Sequence, residues 1–156
     1  MKTFAKSVIF AAVLAVAGTA GRAADPAPAP RIEWEGKVNA GYERAVKEKK
    51  LLVVYFRKDY CEVSKGPCRH CTPIDTVLGG VGAGRLAGKA VWVWQSLGAD
   101  DEKGNGAQLM KDLKIEAVPV LVVLEVARDK LTEVGRVTGK FDEATYLQKL
   151  RPLLGP

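Results

Sequence analysis

The chain is poor in the two side chains most used for redox and metal chemistry, with three cysteines and a single histidine in 156 residues. A structural disulfide framework uses an even number of cysteines spread along the sequence so that each bridge closes a loop. Cys61, Cys68 and Cys71 share an eleven-residue window, so bridges among them close almost nothing. The cluster therefore reads as a reactive site and not as a staple. No Cys-x-x-Cys-His run is present, which excludes covalent haem attachment. Gly80-Val81-Gly82-Ala83-Gly84 has no Lys-Ser/Thr after it and follows a helical pattern, not a strand, so it is no nucleotide loop. It reads as a flexible connection. No repeat at periods of 20 to 50 residues occurs, which excludes a solenoid. The one long apolar run, Ser7 to Gly18, falls short of the roughly 20 residues that a bilayer core demands.

That run has a different reading. Lys2 and Lys6 form a basic start, the apolar stretch follows, and Gly21-Arg22-Ala23 or Gly18-Thr19-Ala20 offers small residues for cleavage. This is the layout of a secretory signal peptide, expected over residues 1–23 with cleavage near Ala20 or Ala23. No cysteine lies close enough to serve as a lipid anchor. Residues 24–31 contain Asp25-Pro26-Ala27-Pro28-Ala29-Pro30, a stiff extended linker. Residues 32–156 are left for one folded domain. Loss of Lys2, Lys6 and Arg22 removes three positive charges from the net +6 and leaves +3. That is too little and too scattered for a nucleic-acid partner. Lys47, Lys49, Lys50 and the pair Arg57/Lys58 read as solvated ends of elements. Export places the domain in the periplasm or outside the cell, where disulfides form and persist.

Val38, Tyr42, Ala45 and Val46 recur on one face of a helix, with Glu43, Arg44, Lys47 and Glu48 outside it. Leu51 to Phe56 is a continuous apolar run, the signature of a strand covered on both faces. Thr72-Pro73-Ile74-Asp75 predicts a helix start with Thr72 as N-cap; the glycines from Gly79 onward keep that helix short. Ala90 to Trp94 is a second buried strand, with Trp92 and Trp94 on one face of it. Ala107 to Leu113 is a helix, and Val118 to Val126 and Leu131 to Thr138 are two more strands. Asp142 caps a last helix with Tyr146, Leu147 and Leu150 inward. Strands alternating with helices imply an α/β sandwich around a mainly parallel sheet.

These elements carry a resemblance. A buried strand ending in Tyr55-Phe56 and leading to a cysteine site at a helix start resembles the first half of the thioredoxin fold. Leu113 to Pro119 resembles the helix-to-strand link that holds the family's cis-proline, and Arg136-Val137-Thr138-Gly139 before the last helix fits as well. The resemblance runs from about Trp34 to Leu154 and is strongest to secreted thioredoxin-like proteins. It implies a three-layer α/β/α sandwich with a central mixed sheet of about four strands. The implied activity is thiol–disulfide exchange with protein substrates, no cofactor, an unidentified redox partner and a monomeric chain.

Two registers of the active site remain open. In the first, Cys68-Arg69-His70-Cys71 is the Cys-x-x-Cys site, and it resembles the Cys-x-His-Cys sites of disulfide isomerases and periplasmic disulfide oxidases. A thiolate is the attacking species, and cationic neighbours or a helix N-terminus favour it, which suits Cys68 beside Arg69 and His70. Cys71 then resolves, and Cys61 is accessory. In the second, Tyr60-Cys61 and Gly66-Pro67-Cys68 take the places of the family's Trp-Cys and Gly-Pro-Cys, with Glu62 to Lys65 inserted. The resemblance also implies that Val118 and Pro119 present extended backbone to a substrate strand. The family often holds a buried acid just before the aromatic that ends the core strand. Here Tyr55 stands there, so moving the resolving thiol's proton needs water or another group, and reductase turnover is expected to be slow. Two alternatives belong to other classes. One is a redox-inactive binding or adaptor module with structural cysteines. The other is a zinc or copper site drawing on Cys61, Cys68, His70 and Cys71.

Overall fold

The computed structural model describes residues 28–61, 65–97, 105–128 and 130–155. The expected signal peptide lies outside the described residues, as does the linker up to residue 27; residues 28–31 are exposed chain without regular structure. In chain order the elements are β1 (Trp34–Glu35), α1 (Val38–Glu48), β2 (Leu51–Arg57), β3 (Tyr60–Cys61), β4 (Gly66–Pro67), α2 (Thr72–Gly79) and α3 (Val81–Gly84). They continue with β5 (Ala90–Ser96), α4 (Asn105–Asp112), β6 (Val120–Ala127), β7 (Lys130–Thr138) and α5 (Glu143–Leu150).

Five strands form the central sheet, in the order β1-β5-β2-β6-β7. β1 and β2 flank β5 in parallel, while β6 and β7 run antiparallel to their neighbours. The expected four strands become five because Trp34–Glu35 adds a two-residue edge. So short a strand has no periodicity to read. It is held by packing: the Trp34 ring meets Trp92 and Trp94 edge-on, with centroids 5.9 and 5.6 Å away.

The unbroken apolar run of β2 reflects burial on both faces. Val53 and Tyr55 pack with Ile74, Leu78, Tyr146 and Leu150 from α2 and α5. Leu52, Val54 and Phe56 pack on the other side with Val38, Ala45 and Leu109 from α1 and α4. Each fully buried side chain of this size contributes about 1.5–3 kcal/mol. Lys49 closes α1 in the left-handed region at φ 52°, its N–H returning to Ala45 and Val46, so the chain enters β2 two residues later. Asp142 caps α5 as expected, accepting from the Thr145 N–H at 3.0 Å.

Several expectations are corrected. The glycine-rich stretch is not a slack connection; Val81–Gly84 forms α3. Gly84 is glycine because the incoming chain crosses it: a Cβ there would stand 1.8 Å from the Pro30 carbonyl oxygen. Thr72 is the first residue of α2 and not its cap, because the turn already begins at Cys68; Cys71 takes the cap position with helical φ and ψ. β6 starts at Val120, two residues later than expected, since Val118 and Pro119 stand before the ladder. Arg57 is no solvated end. It is 9% exposed, because two carboxylates and the Trp94 ring surround its guanidinium.

Candidate thiol site

β2 delivers the chain to a small hairpin, in which Tyr60 pairs with Pro67 and Cys61 with Gly66. From Pro67 the backbone turns directly into a helical turn. The N–H groups of Cys71 and Thr72 both donate to the Cys68 carbonyl at 3.0 Å, and the Thr72 hydroxyl donates to it at 3.1 Å. That turn brings the sulfurs together: Cys71 Sγ donates to Cys68 Sγ across 3.1 Å. Both are unlinked thiols; Cys71 is fully buried and Cys68 is 5% exposed. Cys61 is half-buried on β3. Arg69 and His70 point to the exposed side of the turn.

Burial is the main force on Cys71, pushing its thiol up to about 11, and the hydrogen bond to Cys68 acts in the same direction. The Lys58 backbone N–H and the Arg57 charge oppose it. Cys71, the deeper of the two thiols, donates its proton toward Cys68.

Beneath Cys71 lies a charged network that the sequence did not announce. The Tyr55 hydroxyl donates to Asp75 Oδ1 at 2.9 Å and sits 3.4 Å from the Cys71 carbonyl oxygen. Asp75 Oδ2 receives Arg57 Nη2 at 3.1 Å. Arg57 Nη1 reaches Asp59, which also accepts from Ser96. The Trp94 ring covers the guanidinium at 4.4 Å, and Arg57 Nε has no hydrogen-bond partner. Burial raises the Asp75 carboxyl above its usual range, partly offset by the Tyr55 bond and the Arg57 charge; burial likewise raises Tyr55, with Asp75 adding to it. From sequence, Asp75 is only the acid of a helix's first turn. The signal that could have found it is its spacing, four residues after Cys71 on one helical face. The sequence places no acid on β2, and α2 supplies one from the opposite side of Tyr55.

The Val118–Pro119 peptide bond is cis. With His70 and the segment after α4 it lines an open groove of about 410 Å³ whose rim carries Lys114, Glu116, Arg136 and Lys140. Arg136 is fixed there: it pairs with Glu133, and its Nη2 donates to the Leu113 carbonyl at 2.9 Å. Val118 and Pro119 thus stand on the same groove as His70. No group of three or more His, Cys, Asp or Glu side chains placed to hold a metal ion is found among the described residues. Nor, among the described residues, is any helix long and apolar enough to cross a membrane.

Comparison with solved structures gives this architecture its class. A thioredoxin from Thermus thermophilus superposes with a TM-score of 0.62 at 24% identity, covering 80% of this chain and 88% of its own. A DsbH oxidoreductase superposes at 0.67 with 16% identity, covering 88% and 94%. A putative disulphide-isomerase from Bacteroides thetaiotaomicron gives 0.54 with 22% identity, covering 83% and 98%. Neither a family model nor a curated protein sequence matches the chain. The chain has the thioredoxin-like fold, a mixed five-stranded sheet between two helical layers.

Proposed function

We propose that the protein is a periplasmic or secreted thiol–disulfide oxidoreductase acting on protein substrates through Cys68-Arg69-His70-Cys71. The observation that carries the reading is the 3.1 Å approach of the two sulfurs at the start of α2, with Cys71 as donor. Cys68 is the nucleophile. Its thiolate attacks a sulfur of a substrate disulfide, forming a bond between Cys68 and substrate while the other substrate sulfur leaves and takes up a proton. Cys71 then loses its proton and attacks Cys68 Sγ. The Cys68–Cys71 disulfide forms, the second substrate thiol departs, and two electrons have passed to the substrate. The reverse sequence oxidises a substrate dithiol, and a redox partner resets the pair.

Asp75, held by the Tyr55 hydroxyl beneath Cys71, is the acid that receives the proton of Cys71, by way of water, since that hydroxyl faces the Cys71 carbonyl and not its sulfur. Partial exposure lets Asp75 pass the proton on to water. Val118 and Pro119 offer extended backbone to the substrate segment beside His70. Cys61 is accessory. The segment 1–23 exports the chain, and amino-terminal sequencing of extracytoplasmic protein should begin near residue 21 or 24; a chain still starting at Met1 contradicts export with cleavage.

Trapping tests the assignment. Cys71→Ser should accumulate mixed disulfides linked through Cys68, because the resolving sulfur is gone, and Cys61→Ser should retain exchange. Loss of exchange in a folded Cys61→Ser protein would transfer the role to Cys61 and Cys68.

A further inference from the structure

Resting on that reading, we infer that the groove beside the cysteines selects substrates whose reactive cysteine lies in an acidic segment. The floor is apolar, formed by Ile115, Val118 and Pro119, and carries no charge of its own. The rim does. Lys114 and Lys140 are exposed and form no ion pair among the described residues, and Glu116 is the one carboxylate lining the groove. Arg136 is already neutralised by Glu133, so it shapes the rim more than it charges it. On the far side of Cys68 the surface continues basic: Arg69 is exposed on a second depression lined by Gly66, Pro67, Thr72 and Pro73. Lys58 and Lys65 are also exposed nearby, whereas Asp59 is engaged by Arg57 and Ser96.

An extended chain entering the groove with its cysteine at Cys68 would therefore lay its neighbouring residues between Lys114 and Lys140 on one side and Arg69 on the other. Carboxylates at those positions meet unsatisfied positive charge; lysines meet repulsion. Charges at a solvent-exposed rim act on encounter rate and selection more than on final affinity, and they are screened by salt. The occupant is thus an acidic, extended, cysteine-bearing protein segment.

The test uses the full reduced protein and three peptides of equal length. Each contains one cysteine activated as a thiopyridyl mixed disulfide, whose leaving group is neutral, flanked by glutamate, glutamine or lysine. The rate of thiopyridone release is measured at low and at high salt. The glutamate peptide should react about tenfold faster than the lysine peptide at low salt, with glutamine between, and the ratio should collapse toward one near 1 M salt, where screening acts within about 3 Å. Lys114→Glu/Lys140→Glu should reverse the order. Both positions are exposed, and Lys114 keeps an L-residue at its positive φ of 52°, so the backbone demand is unchanged. Circular dichroism verifies the fold of the variant, and single reversals serve if the double variant is not folded. Equal rates for the three peptides, or a ranking that charge reversal leaves unmoved, would overturn the inference while exchange itself stands. Failure of all three peptides to release thiopyridone would overturn the exchange reading, and the inference with it.

Discussion

Replacing Asp75 by asparagine separates proton transfer from architecture at this site. Asparagine retains an oxygen to accept from the Tyr55 hydroxyl, now 2.9 Å from Asp75, but it removes the negative charge that faces Arg57 at 3.1 Å. With Cys71 held at about 11, roughly one molecule in 10⁴ carries its thiolate at pH 7. Resolution of a mixed disulfide at neutral pH then depends on a group that takes the proton as the sulfur attacks. General base assistance is worth about 10²–10⁴ in rate, so Asp75→Asn should slow resolution by about 100-fold at pH 7. The assay is single-turnover decay of a preformed Cys68 mixed disulfide, followed from pH 6 to 10. The wild-type rate should be nearly flat above the Asp75 titration; the variant's should climb about tenfold per pH unit until Cys71 ionises by itself. Stability changes as well, because Arg57 keeps only Asp59 as a partner. The loss should be about 1–3 kcal/mol, toward the lower end since the Asp75 side chain is 24% exposed. A folded Asp75→Asn protein with wild-type rate and pH profile would refute Asp75 as the acceptor of that proton.

Two further outcomes follow from the same geometry. Cys71 binds its proton more tightly in the folded, reduced chain (about 11) than at its ordinary value of 9.0. Its contribution to stability is therefore fully present below pH 9 and is lost as pH rises through 11, by roughly 3 kcal/mol at most. Denaturant melts of reduced wild type and Cys71→Ala across that window should diverge with this sign; parallel curves would contradict it. His70 sits exposed between the cysteines on the groove, so His70→Ala should lower the reduction potential by roughly 30 mV, about 1.4 kcal/mol. A glutathione titration showing an unchanged or higher potential would remove His70 from the redox role.

The two inner strands β2 and β5 were legible because Leu51 to Phe56 and Ala90 to Trp94 are uninterrupted apolar runs; the mainly parallel sheet expected from alternating elements is instead mixed, because β6 and β7 follow each other directly and pair antiparallel. The caps of α5 and the helical face of α1 were legible for the corresponding reason, a side-chain pattern with a local cause. What was hidden depends on partners far along the chain. Trp34–Glu35 becomes a strand only because Trp92 and Trp94 receive it. β3 and β4 are two residues each and leave no period. Arg57 reads as a solvent-facing charge until Asp75, 18 residues further along the chain and in no sequence pattern with it, closes over it. At the site the sequence offered both Cys61 and Cys71 as partners for Cys68; the helical turn from Cys68 to Thr72 brings Cys71 to 3.1 Å. Tyr55 was visible on β2, but its partner on α2 was not, because only the packing of α2 against the sheet sets Asp75 beside that hydroxyl.

Everything proposed for the site depends on Cys68 and Cys71 being the exchanging pair. Disulfide mapping by mass spectrometry of the oxidised, purified protein, carried out across a glutathione redox titration, tests it most directly. One bridge is expected, Cys68–Cys71, opening and closing reversibly with the glutathione ratio while Cys61 stays outside it. A reversible Cys61–Cys68 bridge, or a Cys68–Cys71 bridge that opens only when the domain unfolds, would contradict it.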